Sequence, residues 1–200
     1  DEPLIALDPQ SVRGTTAVLI YARARRHGFA RTTAVLDQLG LNIVDARITP
    51  TGDGFSLDLY HVLEDDSAPI TDRDRQEEIE YALWRSLRGP KDTPFAVYRR
   101  APRQARMFHT ATLIALSVDE RNRRSVLELT AGDRPGLLCD VGKVLMEARV
   151  ELQAAKIMTV GERAEDVFYV TDFDGRPLDP LAAEQLRESL ARSLDRRDAA

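Results

Sequence analysis

One cysteine, Cys139, stands in 200 residues, so no disulfide can form within the chain, and a reducing cytoplasm is the expected compartment. No basic-then-apolar leader opens the sequence, and no run approaches the roughly 18 apolar residues that suggest a membrane span. A cationic excess is also missing: the formal net charge of −5 argues against a nonspecific nucleic-acid binder. Catalytic signatures are equally scarce. His27, His61 and His109 are isolated, with no Cys or His partner at metal-ligand spacing, and Asp65-Asp66 and Glu77-Glu78 read as solvated charges. Neither a Walker phosphate loop nor a serine-hydrolase elbow occurs, and Cys139 has no sequence feature that places a histidine beside it. It reads as a small apolar filler.

What is present is an ordinary core composition, 43% apolar, in a length that allows one large domain or two of about 100 residues. The first residue is Asp1 rather than Met, which fits a piece of a longer protein or a processed chain. The most informative stretch runs from Leu127 to Leu145. Ser125 to Thr130 has strand character, and Leu138, Val141, Leu145 and Ala148 then recur at helical spacing. The join is Asp133-Arg134-Pro135-Gly136-Leu137-Leu138. Asp133 is the expected helix N-cap, Pro135 suits a first turn, and Gly136 permits close approach of a ligand to the backbone. Unpaired N–H groups in such a turn attract a carboxylate, and an adjacent Asp side chain suits an ammonium. The pair fits the backbone end of a free amino acid.

The pattern occurs twice. Strand candidates Thr16–Tyr21, Leu41–Thr49 and Phe55–Leu63 flank an amphipathic helix from Phe29 to Leu39. A shift of roughly 109 residues superposes Val35-Leu36 on Val144-Leu145, and Ala46 and Ile48 on Ala155 and Ile157, few of the positions being identical. Strands from Val150 to Thr159 and through Glu165–Asp172 follow in the second unit. Each trio is followed by a helix. Thr71 or Asp72 caps the first, with Ile79, Ala82, Leu83 and Leu87 on one face before Gly89-Pro90; Asp179-Pro180 starts the second, with Leu186, Leu190 and Leu194 on a stripe. The chain ends soon after, so residues 112–118 are expected to supply the second unit's fourth strand. Residues 90–106 form a proline- and arginine-rich connection. Arg99, Arg100, Arg103 and Arg106, near Phe95 and Tyr98, read as a solvated face or as partners for carboxylates rather than as a nucleic-acid patch.

Asp133–Leu138 between strand and helix, together with Lys156–Asp172, Leu41–Ile48 and Asp53–Asp58, resembles the C-terminal tandem ACT-domain region of the bifunctional PII uridylyltransferase/uridylyl-removing enzymes, over roughly residues 14 to 195. The resemblance implies an α+β fold of two tandem ferredoxin-like (βαββαβ) ACT modules, 14–105 with its linker and 106–200. It implies a cytoplasmic regulatory region that binds glutamine and biases the parent enzyme toward uridylyl removal. The expected partners are upstream catalytic domains and, through them, the PII protein, with no nucleic acid and no membrane; a homodimer through the modules stays open. No cofactor is expected in this chain, whereas the parent enzyme would need a divalent metal, and the chain alone would have no catalytic residue or metal site. A stand-alone tandem ACT regulator sensing another amino acid is the alternative, with an RNA-binding ferredoxin-like module behind it because the strands lack an aromatic stacking motif.

The two turns are not equivalent. Where the second unit has Asp133–Leu138, the first has Ala24-Arg-Arg-His-Gly-Phe29, without the anchoring carboxylate or the proline. By the resemblance, a ligand sits between the turn of one module and the start of the second strand of its neighbour, where an Asn commonly reaches across. Asn42 holds that position in the first unit and Glu151 in the second. The expected site is therefore Asp133, Arg134, Pro135, Gly136, Leu137 and Leu138 facing Asn42, one per chain, provided the modules pair within the chain.

Overall fold

The computed structural model describes residues 2–11, 14–25, 27–51, 53–89, 97, 110–160 and 163–198. The first unit comprises β1 (Leu4–Asp8), β2 (Thr16–Arg23), α1 (Gly28–Gln38), β3 (Asn42–Pro50), β4 (Phe55–Leu63) and α2 (Arg73–Arg88). The second repeats the order with β5 (Leu113–Asp119), β6 (Arg124–Gly132), α3 (Leu137–Glu147), β7 (Glu151–Lys156), the two-residue β8 (Thr159–Val160), β9 (Arg163–Thr171) and α4 (Pro180–Asp198). This is the α+β, tandem ferredoxin-like arrangement expected from the sequence.

Every pairing is antiparallel, and the strand order β1-β2-β4-β3-β7-β9-β6-β5 makes one continuous sheet, with β8 on β9. β5 pairs with β6 from Leu113↔Thr130 to Asp119↔Arg124, so the segment before the second unit does complete its sheet. The first unit uses the same device. β1, ahead of the position where the sequence reading starts this module, pairs with β2 from Leu4↔Tyr21 to Asp8↔Ala17. A strand edge presents unpaired N–H and C=O groups, and each added strand covers one.

The units join where β3 meets β7, in the register Asp45↔Lys156, Ala46↔Ala155 and Arg47↔Ala154, extended by the Ile157 N–H to the Val44 carbonyl at 3.3 Å. Ala46 and Ala155 are both fully buried at this seam. Above it α1 packs on α3. Gly142 of α3 sits at the crossing: a Cβ there would stand 2.8 Å from Phe29 Cδ1 and 2.9 Å from Ala30 Cβ. The apolar sides of the strands (Val18, Ile20, Tyr60, Val62, Leu127, Leu129, Phe168, Val170) and the helix stripes (Leu36, Ile79, Leu83, Val141, Leu186, Leu190) form one core across both units. Apolar burial at roughly 25 cal/mol per Å² thus ties the units together as well as holding each one.

Polar anchors repeat along with the core. The Thr16 hydroxyl accepts from the Ile70 N–H at 2.7 Å, and the Ser125 hydroxyl from the Leu178 N–H at 2.9 Å, fixing the approach to α2 and α4. Asp72 accepts from the Arg75 N–H and Asp179 from the Ala182 N–H, both at 2.8 Å, capping those helices as the sequence indicated.

The strand expected from Val150 to Thr159 is broken after Lys156. The Met158 N–H donates to the buried Asp166 carboxylate at 3.2 Å, and the Met158 carbonyl accepts from the Glu165 N–H at 2.7 Å. A side chain thus takes a donor that a continuous ladder would have used. Arg99, Arg100, Arg103, Arg106, Phe95, Tyr98 and His109 lie outside the described residues.

Candidate functional site

The internal repeat gives each unit a strand-to-helix turn, between β6 and α3 in the second and between β2 and α1 in the first. β6 ends at Gly132, and α3 begins at Leu137 behind Gly136, whose φ of 84° is a left-handed conformation that glycine adopts freely. A Cβ on Gly136 would also come within 3.3 Å of Val97 Cβ. Asp133 is therefore not the N-cap that the sequence suggested. Three residues separate it from the helix, the cap position is Gly136, and the Asp133 carboxylate accepts from the Thr159 hydroxyl at 3.2 Å. Pro135 likewise precedes the helix rather than occupying its first turn.

Arg134 folds back onto α3, with Nη1 donating to the Asp140 carboxylate at 3.0 Å; the Asp140 side chain is only 5% exposed. Leu137 is buried and Leu138 half-buried. Asp140 was missed by the sequence reading. Its signal was an acidic residue in the first turn of a helix, where the helix dipole favours it.

The Gly136 N–H donates across the seam to Asp37, near the end of α1, at 2.5 Å. A carboxylate from the first unit thus sits on the backbone donor expected to hold a ligand carboxylate. Five residues beyond Asp37, Asn42 opens β3 with an exposed side chain whose Nδ2 donates to the Glu64 carbonyl at 3.4 Å. Within one chain, the fold thus brings Asp37 of the first unit onto the Gly136 turn, whereas the Asn42 amide is engaged by the Glu64 carbonyl.

Asp166 of β9 lies beneath this turn, 1% exposed, with Oδ2 lacking a hydrogen-bond partner among the described residues. Burial, with the Asp133 charge as a smaller contribution, pushes its carboxyl up to about 7, against the opposing effect of the Met158 N–H. Its counterpart in the first unit is Asp58 of β4, also buried, accepting from the Ser56 hydroxyl and pushed up by burial to about 6. No sequence pattern marked either residue, because an Asp in an alternating strand reads as outward-facing until the sheet faces are known.

A crevice lies between residues 23–25 and Phe29 of the first unit and the start of β7. It opens into a cavity of about 300 Å³ whose walls include Phe29, Asp58, Leu145, Met146, Val150 and Glu151. Burial raises Glu151, with Asp172 adding to the effect. Cys139 is buried, and among the described residues no group of three or more His, Cys, Asp or Glu side chains is placed to hold a metal. No helix of the described residues is long and apolar enough to cross a membrane.

The family model for the ACT domain matches residues 125–190, which run from β6 through α3 into α4 and include the Asp133–Leu138 turn. The chain carries an ACT domain. It is similar, along almost its whole length, to proteins described as bifunctional uridylyltransferase/uridylyl-removing enzymes. That of Pseudomonas savastanoi pv. phaseolicola is 42% identical over 197 residues, 96% of this chain and 22% of the relative. That of Methylococcus capsulatus is 47% identical over 177 residues, 88% of this chain and 20% of the relative. The chain therefore spans about one-fifth of the length of these relatives, and the ACT domain lies within the shared part. Among solved structures, aspartate kinase from Synechocystis aligns with a TM-score of 0.46 at 15% identity, covering 94% of this chain and 29% of that one.

Proposed function

We propose that this chain is the glutamine-sensing regulatory region of a bifunctional PII uridylyltransferase/uridylyl-removing enzyme. Free glutamine binds at Asp133, Arg134, Pro135, Gly136, Leu137 and Leu138, opposite Asn42. The observation that carries the reading is the Gly136 N–H on the Asp37 carboxylate across the seam. It supports a turn with affinity for a carboxylate, facing the neighbouring unit of the same chain. Asp133, exposed and beside it, suits the ligand's ammonium group. The 42% and 47% identities to uridylyltransferase/uridylyl-removing enzymes, each over about one-fifth of the relative, support catalytic domains elsewhere in a longer protein.

In that protein, glutamine favours uridylyl removal from PII over transfer by binding one arrangement of these modules more tightly than another. Only such a difference in affinity can shift the equilibrium. Any divalent metal that the chemistry needs belongs to the catalytic domains.

Calorimetric titration of the purified chain with glutamine, glutamate, serine and 2-oxoglutarate tests this. Saturable binding of glutamine at about one per chain, well ahead of the other three, is the expected result. Absence of glutamine binding, or equal binding of all four, overturns it.

A further inference from the structure

The sheet ends in two outer strands, β1 and β5, and each pairs on one side only among the described residues. The two hold matching places in the repeat and begin alike. Leu4-Ile5-Ala6-Leu7 recurs as Leu113-Ile114-Ala115-Leu116, at the shift of 109 residues that superposes the units. Ile5 and Leu7, like Ile114 and Leu116, pack against the core. Leu4 and Leu113 lie on the other side of their strands, 58% and 64% exposed.

Beyond these four residues the edges part. The same shift sets Asp8 against Ser117 and Pro9 against Val118. The helix that closes each unit differs in the same sense: aligned on the caps Asp72 and Asp179, Asp74 of α2 matches Leu181 of α4. Charge and proline at a sheet edge keep other strands from pairing there, and the first unit has both. The second has neither. From Leu113 to Val118 no residue is charged and no proline occurs, and the pairing with β6 runs without a bulge.

Val118 and Leu181 are 48% and 69% exposed, and the fold holds them at one end of this edge. Val118 pairs with Ser125, whose hydroxyl accepts from the Leu178 N–H, and Leu181 follows three residues later in the first turn of α4, which packs on β5. A free row of N–H and C=O groups beside an apolar margin is a template for a further strand.

We infer that β5 is a self-association edge, at which a second copy of this chain adds its own β5 antiparallel across a two-fold axis and continues the sheet. Centred on Leu116, the register sets Ala115 opposite Ser117 of the second copy and Ile114 opposite its Val118, with no two charges opposed. The seam within the chain is built in the same way, β3 antiparallel to β7 with Ala46 opposite Ala155, so the dimer extends the sheet by the pairing that already joins the units. A two-fold pairing uses β5 in both copies and leaves only the guarded β1 at each end, so assembly closes at two rather than running on as a fibre. One strand pair with its flanking side chains is small against the roughly 1,200 to 2,000 Å² of stable interfaces, so the dimer is weak and reversible. The inference uses none of the residues proposed to bind glutamine and stands without that reading.

Sedimentation velocity of the purified chain over a wide concentration range tests it. A reversible monomer–dimer equilibrium is the expected result. Val118→Lys and Ser117→Asp give the second edge a charge of the kind the first one carries. Each acts twice across the two-fold axis and should weaken association about 10-fold or more. Leu181→Asp should weaken it less, and Ala6→Lys, on the guarded edge, should leave it unchanged. Both β5 substitutions are at exposed positions, and circular dichroism checks that the fold is kept. Hydrogen exchange of the unmodified chain gives a readout that needs no variant: amides of β5 should gain protection as concentration rises, and those of β1 should not. A chain that stays monomeric throughout, or one that grows past the dimer, overturns the inference. So does a dimer that survives Val118→Lys and Ser117→Asp in folded protein, one lost in Ala6→Lys, or β5 exchange that is unmoved where the dimer predominates.

Discussion

The Gly136 N–H and the Asp37 carboxylate are hydrogen-bonded across the seam between the two units, from residues 99 positions apart. The bond places an internal anion at the N-terminus of α3, where the unpaired N–H groups and the helix dipole favour negative charge. It also means that a ligand carboxylate arriving at this turn must displace Asp37.

Asp37→Ala should therefore tighten glutamine binding while loosening the fold. A hydrogen bond to a charged group contributes about 1.5 to 3 kcal/mol, so the gain in affinity should lie between about 10- and 150-fold, with a comparable loss of stability. Calorimetry and thermal unfolding of the same preparation check both. Unchanged affinity would show that glutamine does not use the Gly136 N–H.

Removing the ammonium partner should act in the opposite direction. Asp133→Ala should weaken glutamine binding by about 10- to 150-fold, through loss of one charge-assisted hydrogen bond. Asn42→Ala should weaken it less, because its amide is already engaged by the Glu64 carbonyl. His27→Ala, at the other turn, should leave it nearly unchanged. Dissociation constants for the three variants, with circular dichroism as the check on folding, give the ranking.

The buried carboxyls predict an inverse dependence of stability on pH. Asp58 and Asp166 have folded-state values of about 6 and about 7, against an ordinary 3.8. Between about pH 4 and 7 the folded chain holds protons that the unfolded chain has released, so these two groups make stability fall as pH rises through that window. At about 1.4 kcal/mol per unit, Asp166 alone contributes a penalty of up to about 4 kcal/mol above pH 7. Asp166→Asn should remove it, raising stability at pH 8 and flattening the profile between pH 4 and 7. Urea unfolding of the two proteins across that range measures the difference.

Gly142→Ala should destabilise the chain although alanine is the better helix former by about 1 kcal/mol. The new methyl group would press on Phe29 Cδ1 at 2.8 Å and on Ala30 Cβ and Cα at 2.9 and 3.0 Å, so α1 and α3 would have to separate. Overpacking of this kind costs about 1 to 3 kcal/mol. A lowered midpoint of thermal unfolding would register it, and an unchanged or raised midpoint would show that the seam yields easily.

Much of the architecture was legible in the residues because it is local. Period-two alternation marks β2, β4, β6 and β9, the stripes Ile79-Leu83-Leu87 and Leu186-Leu190-Leu194 mark α2 and α4, and Asp72 and Asp179 announce their caps. Each is a contact between neighbours in sequence. β1 was not legible, since five residues ahead of a loop carry too little pattern to declare a partner, and β2 supplies that partner from outside the segment. The break at Met158 was hidden for the same reason: it depends on a carboxylate eight residues away that the strand pairing turns inward.

The turn Asp133–Leu138 and its asymmetry with Ala24–Phe29 were fixed by the sequence alone, because turn chemistry resides in consecutive residues. Which groups surround that turn was decided only by tertiary structure. The antiparallel pairing of β3 with β7 and the crossing of α1 on α3 set Asp37 against Gly136 and Asp166 beneath Asp133, and opened a hollow beside Asp58 where Met146 stands in place of an aspartate. Charge and volume at such a seam are properties of two surfaces at once, and neither surface exists until the sheet is continuous.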